Sequence, residues 1–330
     1  MKVFRWGCWG LPLLFILMLS TEVLAGKKAL IVMGVSEGET KNISVLKKSS
    51  DGIVEVLKTA GVAHQILYAG LVYAPNDAAK SAEAKAAVVK IRQIKPDLIF
   101  VLGDDTLKHI GALVDDIPIV FTYVYGDDPR EWGLPKANIS GVTRRSFAPD
   151  IFGLTRKLTG AQTVTVLGNA STMAGVRVAL MSRADQLEKI TGVKILDVKL
   201  CNTFEEWKEF VRSCPADFIY LTDTSMIIKD GKPLERRETT GWTVENSKVP
   251  VVAATDLDTS AGALFAILND ERKWGQQAGE MAVRILSGTP ISEMPVESMR
   301  EGALVINSKT AQKYRIDIPY EVLSSAAEIY

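Results

Sequence analysis

Two Gly-Asp-Asp triplets stand in near-matching settings. Gly103-Asp104-Asp105, followed by Thr106, closes "DLIFVLGDDT", and Gly126-Asp127-Asp128 closes "IVFTYVYGDDP". Each follows a run of apolar, β-branched and aromatic residues. Paired carboxylates there suit three chemistries: holding a hard cation, acid/base exchange, or accepting hydrogen bonds from the N–H and O–H groups of a ligand. The competing role is structural, because Asp after a strand often caps the next helix or turn, and Pro129 fits a turn. A hard-metal site needs several converging oxygens, and no third carboxylate is guaranteed by the spacing.

A second group lies in "GNASTMAG", Gly168 to Gly175. Asn169, Ser171 and Thr172 fall between a strand and a helix, where free N–H groups and the helix dipole favour an anion; a plain N-cap is the alternative. Tyr123 and Tyr125 alternate at a strand end and so share one face. They offer a ligand a broad wall with hydroxyl handles, or pack on covering helices. Gly34 and Ser36 follow the first strand. Asp223, Thr224, Ser225 and Asp256 follow two later ones. His64, His109, Trp242 and Trp274 are expected in structural places.

Three known site spacings are missing: there is no Walker loop, no H-E-x-x-H, and no G-x-G-x-x-G after the first strand. A two-lobed racemase would need a cysteine from each lobe, whereas Cys201 and Cys214 both fall in the second half.

The elements that must position these residues alternate. Apolar runs at Lys28–Val35, "VAHQILYAG", "DLIFVLG" and "IPIVFTYVY" read as strands. Between them lie an amphipathic helix over Ile43–Gly61, an Ala/Lys-rich helix closed by Pro96, and a helix around Leu107–Val114. That βαβ rhythm predicts an α/β fold with parallel sheets. It restarts with "TVTVLGN", a helix over Ala174–Gly192, "VKILDVKL", a helix capped by Thr203, "DFIYLTD" and "VPVVAATD". The two halves echo each other: "KPDLIFVLGDDT…DIPIVFTYVYGDD" parallels "CPADFIYLTDTS…KVPVVAATDLD". Ligands of open α/β sheets bind beyond the carboxyl ends of the strands. Two similar lobes with those edges facing would bring the candidate loops to one cleft.

Bulk properties agree with a binding module. The chain has 330 residues, enough for two domains, and a formal net charge of zero with no basic block, which argues against nucleic acid as a partner. Lys2 and Arg5, the apolar stretch Trp6–Leu19 and "STEVLA" have the layout of a signal peptide over residues 1–25, cleaved after Ala25. The apolar stretch is too short to span a bilayer. The helix expected between Cys201 and Cys214 holds them too far apart to pair.

Several passages resemble the periplasmic ABC-transporter substrate-binding proteins of the TrpX-like group. "ANISGVT" is similar to their N-[ITV]-[TS]-G-V crossover. "GALFAILNDERKWGQQAGEMAVRILSGTPISEMPVE" and "LVINSKTAQKYRIDIPYEVL" resemble their C-terminal passages. The resemblance implies a type I periplasmic-binding-protein fold: two Rossmann-like lobes, three crossovers, a ligand cleft between the lobes, and hinge closure. Lobe 1 is then expected at 26–143, with about 266–290 returning to it. Lobe 2 is expected at 144–265, completed by about 291–330. The family commonly carries a small G-[ST]-x-A loop where this chain has Gly103-Asp104-Asp105-Thr106, so the extra carboxylates suit a ligand with a cationic or hydroxyl-rich part.

The function expected is delivery of a small polar solute, an amino acid or related amine or carboxylate, to an ABC importer. The protein would be an extracytoplasmic monomer with no cofactor or metal and no enzymatic activity, partnered by a membrane permease. The alternatives are a periplasmic sensing subunit of a kinase or chemoreceptor, and a metal-assisted enzyme using the Gly-Asp-Asp loops.

Overall fold

Five apolar runs become one parallel sheet: β1 (Lys28–Met33), β2 (Ala63–Tyr68), β3 (Leu98–Leu102), β4 (Ile119–Val124) and β5 (Ile139–Thr143). The computed structural model describes residues 24–40, 44–124 and 136–330. The strand order is β2-β1-β3-β4-β5. β1 and β3 are buried along nearly their whole length, as strands covered by helices on both faces must be. The edge strand β2 has no fully buried residue.

Local chemistry sets the helices between them. Asn76 accepts the Ala79 N–H at 2.9 Å and starts the helix Asp77–Ile94, which ends at Lys95 in the left-handed conformation (φ 52°), just before Pro96. The helix expected around Leu107–Val114 runs earlier, over Asp104–Gly111. Gly103, at φ 92°, turns the chain straight from β3 into it, and the two aspartates occupy the first turn, where the dipole favours them.

The first unit ends at Arg145 and regains Asp270–Glu301; the second comprises Ser146–Asn269 and Gly302–Tyr330. The returning segment therefore extends beyond the expected 266–290. The extension has a physical cause: β13 (Glu297–Ser298) pairs in parallel with β5, and Gln277 bonds to Glu297, the Ser298 carbonyl and the Arg300 N–H. The returning helix Glu271–Leu286 lies on the helix Ser44–Thr59 at backbone contact. A Cβ on Gly275 would meet the Ser49 carbonyl oxygen at 1.9 Å, and one on Gly52 the Arg272 carbonyl at 2.1 Å. Trp274 on that helix is fully buried and donates to the Val142 carbonyl at 2.8 Å.

The second unit repeats the plan. β6 (Thr163–Asn169), β7 (Lys194–Cys201), β8 (Phe218–Leu221) and β11 (Val251–Ala253) run parallel in the order β7-β6-β8-β11. This is the order of β2-β1-β3-β4, so the echo in the sequence is an echo of topology. A small hairpin of β9 (Ile228–Lys229) and β10 (Lys232–Pro233) interrupts it. A separate three-stranded sheet is made of β12 (Phe265–Asn269), β14 (Gly302–Ile306) and β15 (Glu328–Ile329).

The helix expected over Ala174–Gly192 is two helices, Ala170–Met181 and Ala184–Thr191. At the break the Ser182 hydroxyl donates to the Ala179 carbonyl at 3.0 Å, competing with the ladder. Thr203 and Glu206 form the capping box of the helix Phe204–Ser213. Cys201 and Cys214 flank that helix as free thiols. Trp207, fully buried, donates to Thr243 at 2.7 Å in a core built on β8 and β11. Among the described residues no helix is long and apolar enough to cross a membrane.

Candidate functional site

At the carboxyl edge of the first sheet, Gly34 sits where β1 ends. A Cβ there would come within 2.2 Å of Thr106 Oγ1 and 2.8 Å of Val72 Cγ2, so only glycine lets the loop meet the start of the next helix. Thr106 is buried, and its hydroxyl has no hydrogen-bond partner among the described residues. Ser36 proves to be a cap: its N–H donates to Glu39 Oε2 at 2.7 Å and its hydroxyl accepts from the Glu39 N–H at 3.4 Å. The Ser36 N–H holds the Glu39 carboxyl below its ordinary range.

Gly103 donates to the Thr122 carbonyl at 3.1 Å, joining the ends of β3 and β4. Asp104 and Asp105 are half-buried in the following turn. Asp105 pairs with Lys80 at 2.7 Å, with side chains 36% and 20% exposed. Tyr123 was expected to share a face with Tyr125 by strand alternation. Instead its φ is 58°, and the β4–β5 register shifts between Phe121 and Val124. The bulge breaks the two-residue period and turns the Tyr123 ring onto Trp274, centroids 5.8 Å apart. Tyr125 and the second triplet, Gly126 to Asp128, lie outside the described residues.

At the carboxyl edge of the second sheet, Asn169 is the buried last residue of β6. Its Oδ1 accepts from both the N–H (2.8 Å) and the hydroxyl (2.5 Å) of Ser171, the second residue of the helix Ala170–Met181. Ser171 is exposed, and Thr172 follows it in the first turn. The Asn169 N–H donates to the Asp223 carbonyl at 2.8 Å, so the β6 and β8 loops share one edge. Asp223 Oδ1 accepts from the Ser225 N–H and hydroxyl at 3.0 and 2.6 Å, a closed Asx-type turn. Thr224 is buried and points elsewhere, donating to Asp258 at 2.7 Å. Asp256 accepts the Tyr330 hydroxyl at 2.6 Å, which pushes that phenol's pKa up.

Sequence reasoning missed the centre of this edge. Arg236 bridges Asp223 Oδ1 at 2.8 Å and Asp258 Oδ2 at 2.9 Å. Asp258 is fully buried and takes three further bonds, from Thr224, Thr240 and Thr255. The available signal was "TDLD": Thr255 caps the short helix that carries Asp258 three residues on. Among the described residues no group of three or more His, Cys, Asp or Glu is placed to hold a metal ion.

The folding plan and the polar edges can be set beside known proteins. A family model described as ABC transporter substrate binding protein matches residues 42–330. The chain belongs to that family. A family of substrate-binding proteins implies a small-molecule ligand, an ABC transporter as partner and a working place outside the cytoplasm. A tyrosine-binding protein of Clostridioides difficile (strain R20291) is 26% identical over 225 residues, 66% of this chain and 62% of that protein. The match thus spans less than two thirds of that relative's length.

Among solved structures, the ligand-free, open form of a Clostridium difficile substrate-binding protein with adhesive properties superposes with a TM-score of 0.63 at 23% identity, covering 92% of this chain and 98% of that one. A Streptococcus pneumoniae ABC domain in complex with L-Trp gives 0.51 at 20% identity, covering 93% and 100%. A periplasmic ribose ABC transporter protein of Conexibacter woesei gives 0.52 at 15% identity, covering 91% and 98%. At such identities the likeness speaks for the fold alone, that of the type I periplasmic binding proteins, as the sequence led us to expect.

Proposed function

We propose that this family member binds an amino acid and delivers it to an ABC importer. The observation that carries the proposal is the family match over nearly all of the chain beyond the leader-like segment. The tyrosine-binding relative and the tryptophan-bound structure favour an aromatic side chain on the ligand.

The edge chemistry fits such a zwitterion. The first turn of the helix Ala170–Met181, with Ser171 and Thr172, suits the carboxylate. Asp104, Asp105 and Asp223 suit the ammonium group, and the Tyr123 ring suits an aromatic side chain. Gly34, Gly103, Thr106, Asn169, Ser225 and Asp256 shape the same edges. Ser36 and Thr224 act behind them, as a cap and as a donor to Asp258. The work is binding rather than catalysis. Occupancy shifts the population toward the form the importer reads. Residues 1–25 serve as the export leader, and the working form is a monomer.

The test is a thermal-shift screen of the chain from Gly26 onward against the twenty amino acids, polyamines, nucleosides and sugars, followed by calorimetry. Stabilisation by L-tyrosine or L-tryptophan is the expected outcome. A flat response across all amino acids would sink the proposal. Tight binding of a sugar or nucleoside would keep the importer role and replace the ligand.

A further inference from the structure

The hydroxyl of Thr106 is an expense without a return inside the protein. The residue is fully buried, and Oγ1 has no hydrogen-bond partner among the described residues. A buried polar group left unpaired is destabilising and calls for a reason. Threonines elsewhere settle their hydroxyls locally: Thr59 and Thr155 donate to carbonyls four residues back, at 2.9 and 2.7 Å. Thr106 is only the third residue of the helix Asp104–Gly111, so four residues back lies Leu102, in β3. The helix offers this hydroxyl no carbonyl of its own.

Its place in the sheet supplies the reason. The chain runs from β1 to β2 on one side, then crosses to β3 on the other. β1 and β3 are parallel neighbours, so the crevice beyond their carboxyl ends is the switch point where open α/β sheets take ligands. Oγ1 lies there. It is 2.2 Å from where a Cβ on Gly34, just past β1, would stand, and 4.0 Å from that on Gly103, just past β3. Both flanking residues are glycines, which leaves bare backbone around the hydroxyl. The other buried hydroxyls without a partner among the described residues, on Ser49, Thr122 and Thr165, lie within a helix or strands.

We infer that Thr106 is a specificity-determining residue: its hydroxyl pairs with the polar group at the tip of an aromatic side chain, the phenol O–H of tyrosine or the indole N–H of tryptophan. Admitting that tip requires the loop at Gly34 to yield, and binding restores the hydrogen bond that the free protein lacks. A site with a polar group to satisfy rejects the analogue that leaves it unpaired, here phenylalanine. The inference rests on the function proposed above and deepens it from an aromatic ligand to one with a polar tip.

The experiment compares L-tyrosine, L-tryptophan and L-phenylalanine by calorimetry on the unaltered protein, T106V, which keeps the side chain's shape without the hydroxyl, and T106S, which keeps the hydroxyl. The unaltered protein is expected to bind tyrosine or tryptophan at least about tenfold more tightly than phenylalanine. T106V should bring that ratio to within about threefold by weakening the polar-tipped ligand, with phenylalanine affinity unmoved; T106S should keep most of the preference. The ligand-free T106V should melt no lower than the unaltered protein, because it loses an unpaired group. An unchanged ratio in T106V overturns the inference, as does an equal loss for all three ligands, which would mark Thr106 as structural. A lowered melt of T106V would mean that the hydroxyl has a partner within the fold, and overturns it too. If the unaltered protein binds no amino acid, the proposed function falls and this inference with it. If it binds amino acids without preferring the polar-tipped ones, only this inference falls.

Discussion

Asp105 and Asp223 follow corresponding strands, β3 and β8, in sheets of the same order, and each carries an ion pair. Behind Asp105 stands Lys80, a largely buried cation on the helix Asp77–Ile94 that pairs with this one carboxylate. Behind Asp223 stands Arg236, which reaches a second carboxylate with no exposure at all. Two edges of one design are thus tied down differently. The first unit takes its rigidity from helix backbones in contact at Gly52 and Gly275, and holds the edge carboxylate Asp105 by the single-point ammonium of Lys80. The second unit builds a saturated polar network beneath its edge. The lesson is that repeated topology does not carry its polar chemistry along with it.

The sharpest way to break this contrast is Asp258→Ala. It strips the acceptor from three threonine hydroxyls and half-orphans Arg236, so a loss of about 3–5 kcal/mol is expected in urea unfolding. A loss under about 1 kcal/mol would mean that the network is ornamental. Next comes Gly275→Val, which drives a side chain into the Ser49 backbone. A loss of about 3 kcal/mol and a lowered melting temperature should follow, and an unshifted melt would deny the first unit its proposed source of rigidity.

The third test uses pH. Burial raises the Glu297 pKa, but hydrogen bonds from Arg284, Gln277 and Arg300 outweigh it and bring it from 4.5 down to about 2. A depressed carboxyl contributes stability above its unfolded value and loses that contribution as pH falls toward the folded one. Between pH 4.5 and about 2, Glu297→Gln should therefore show a flatter fall in stability than the unaltered chain, followed by circular dichroism. Parallel curves would contradict this. The smallest change in stability is expected from Asp105→Ala: within about 1 kcal/mol, as for other solvent-screened pairs, but with weakened amino-acid binding in calorimetry. Unchanged affinity would assign Asp105 to the first helical turn alone.

Much of the fold was legible because its signals are local. Continuous apolar runs gave β1, β3 and β6; Pro96, Gly192 and Thr203 marked helix ends through their own backbone and side-chain chemistry. What escaped depends on partners distant in sequence. Arg236 and Asp258 are 22 residues apart, and "RRETTGW" looks like a solvated helix face until its neighbours are known. β13 is two residues long and exists because β5 offers an edge. The left-handed Tyr123 has no glycine or asparagine to announce it, since packing on Trp274 overrides its preference. The candidate loops were found by position at strand ends. Which of their side chains cap, as Ser36 does, and which stay outward was decided by contacts that spacing does not encode.

The capped helix Phe204–Ser213 has one more effect. It works as a ruler of about 15 Å between the only two cysteines beyond the leader-like segment. The inner thiol, Cys201, is pushed up by burial to a pKa of about 11, which disfavours the thiolate that disulfide exchange requires. Oxidoreductases would find neither a reactive sulfur nor a partner within reach. The fold itself thus keeps these two thiols apart.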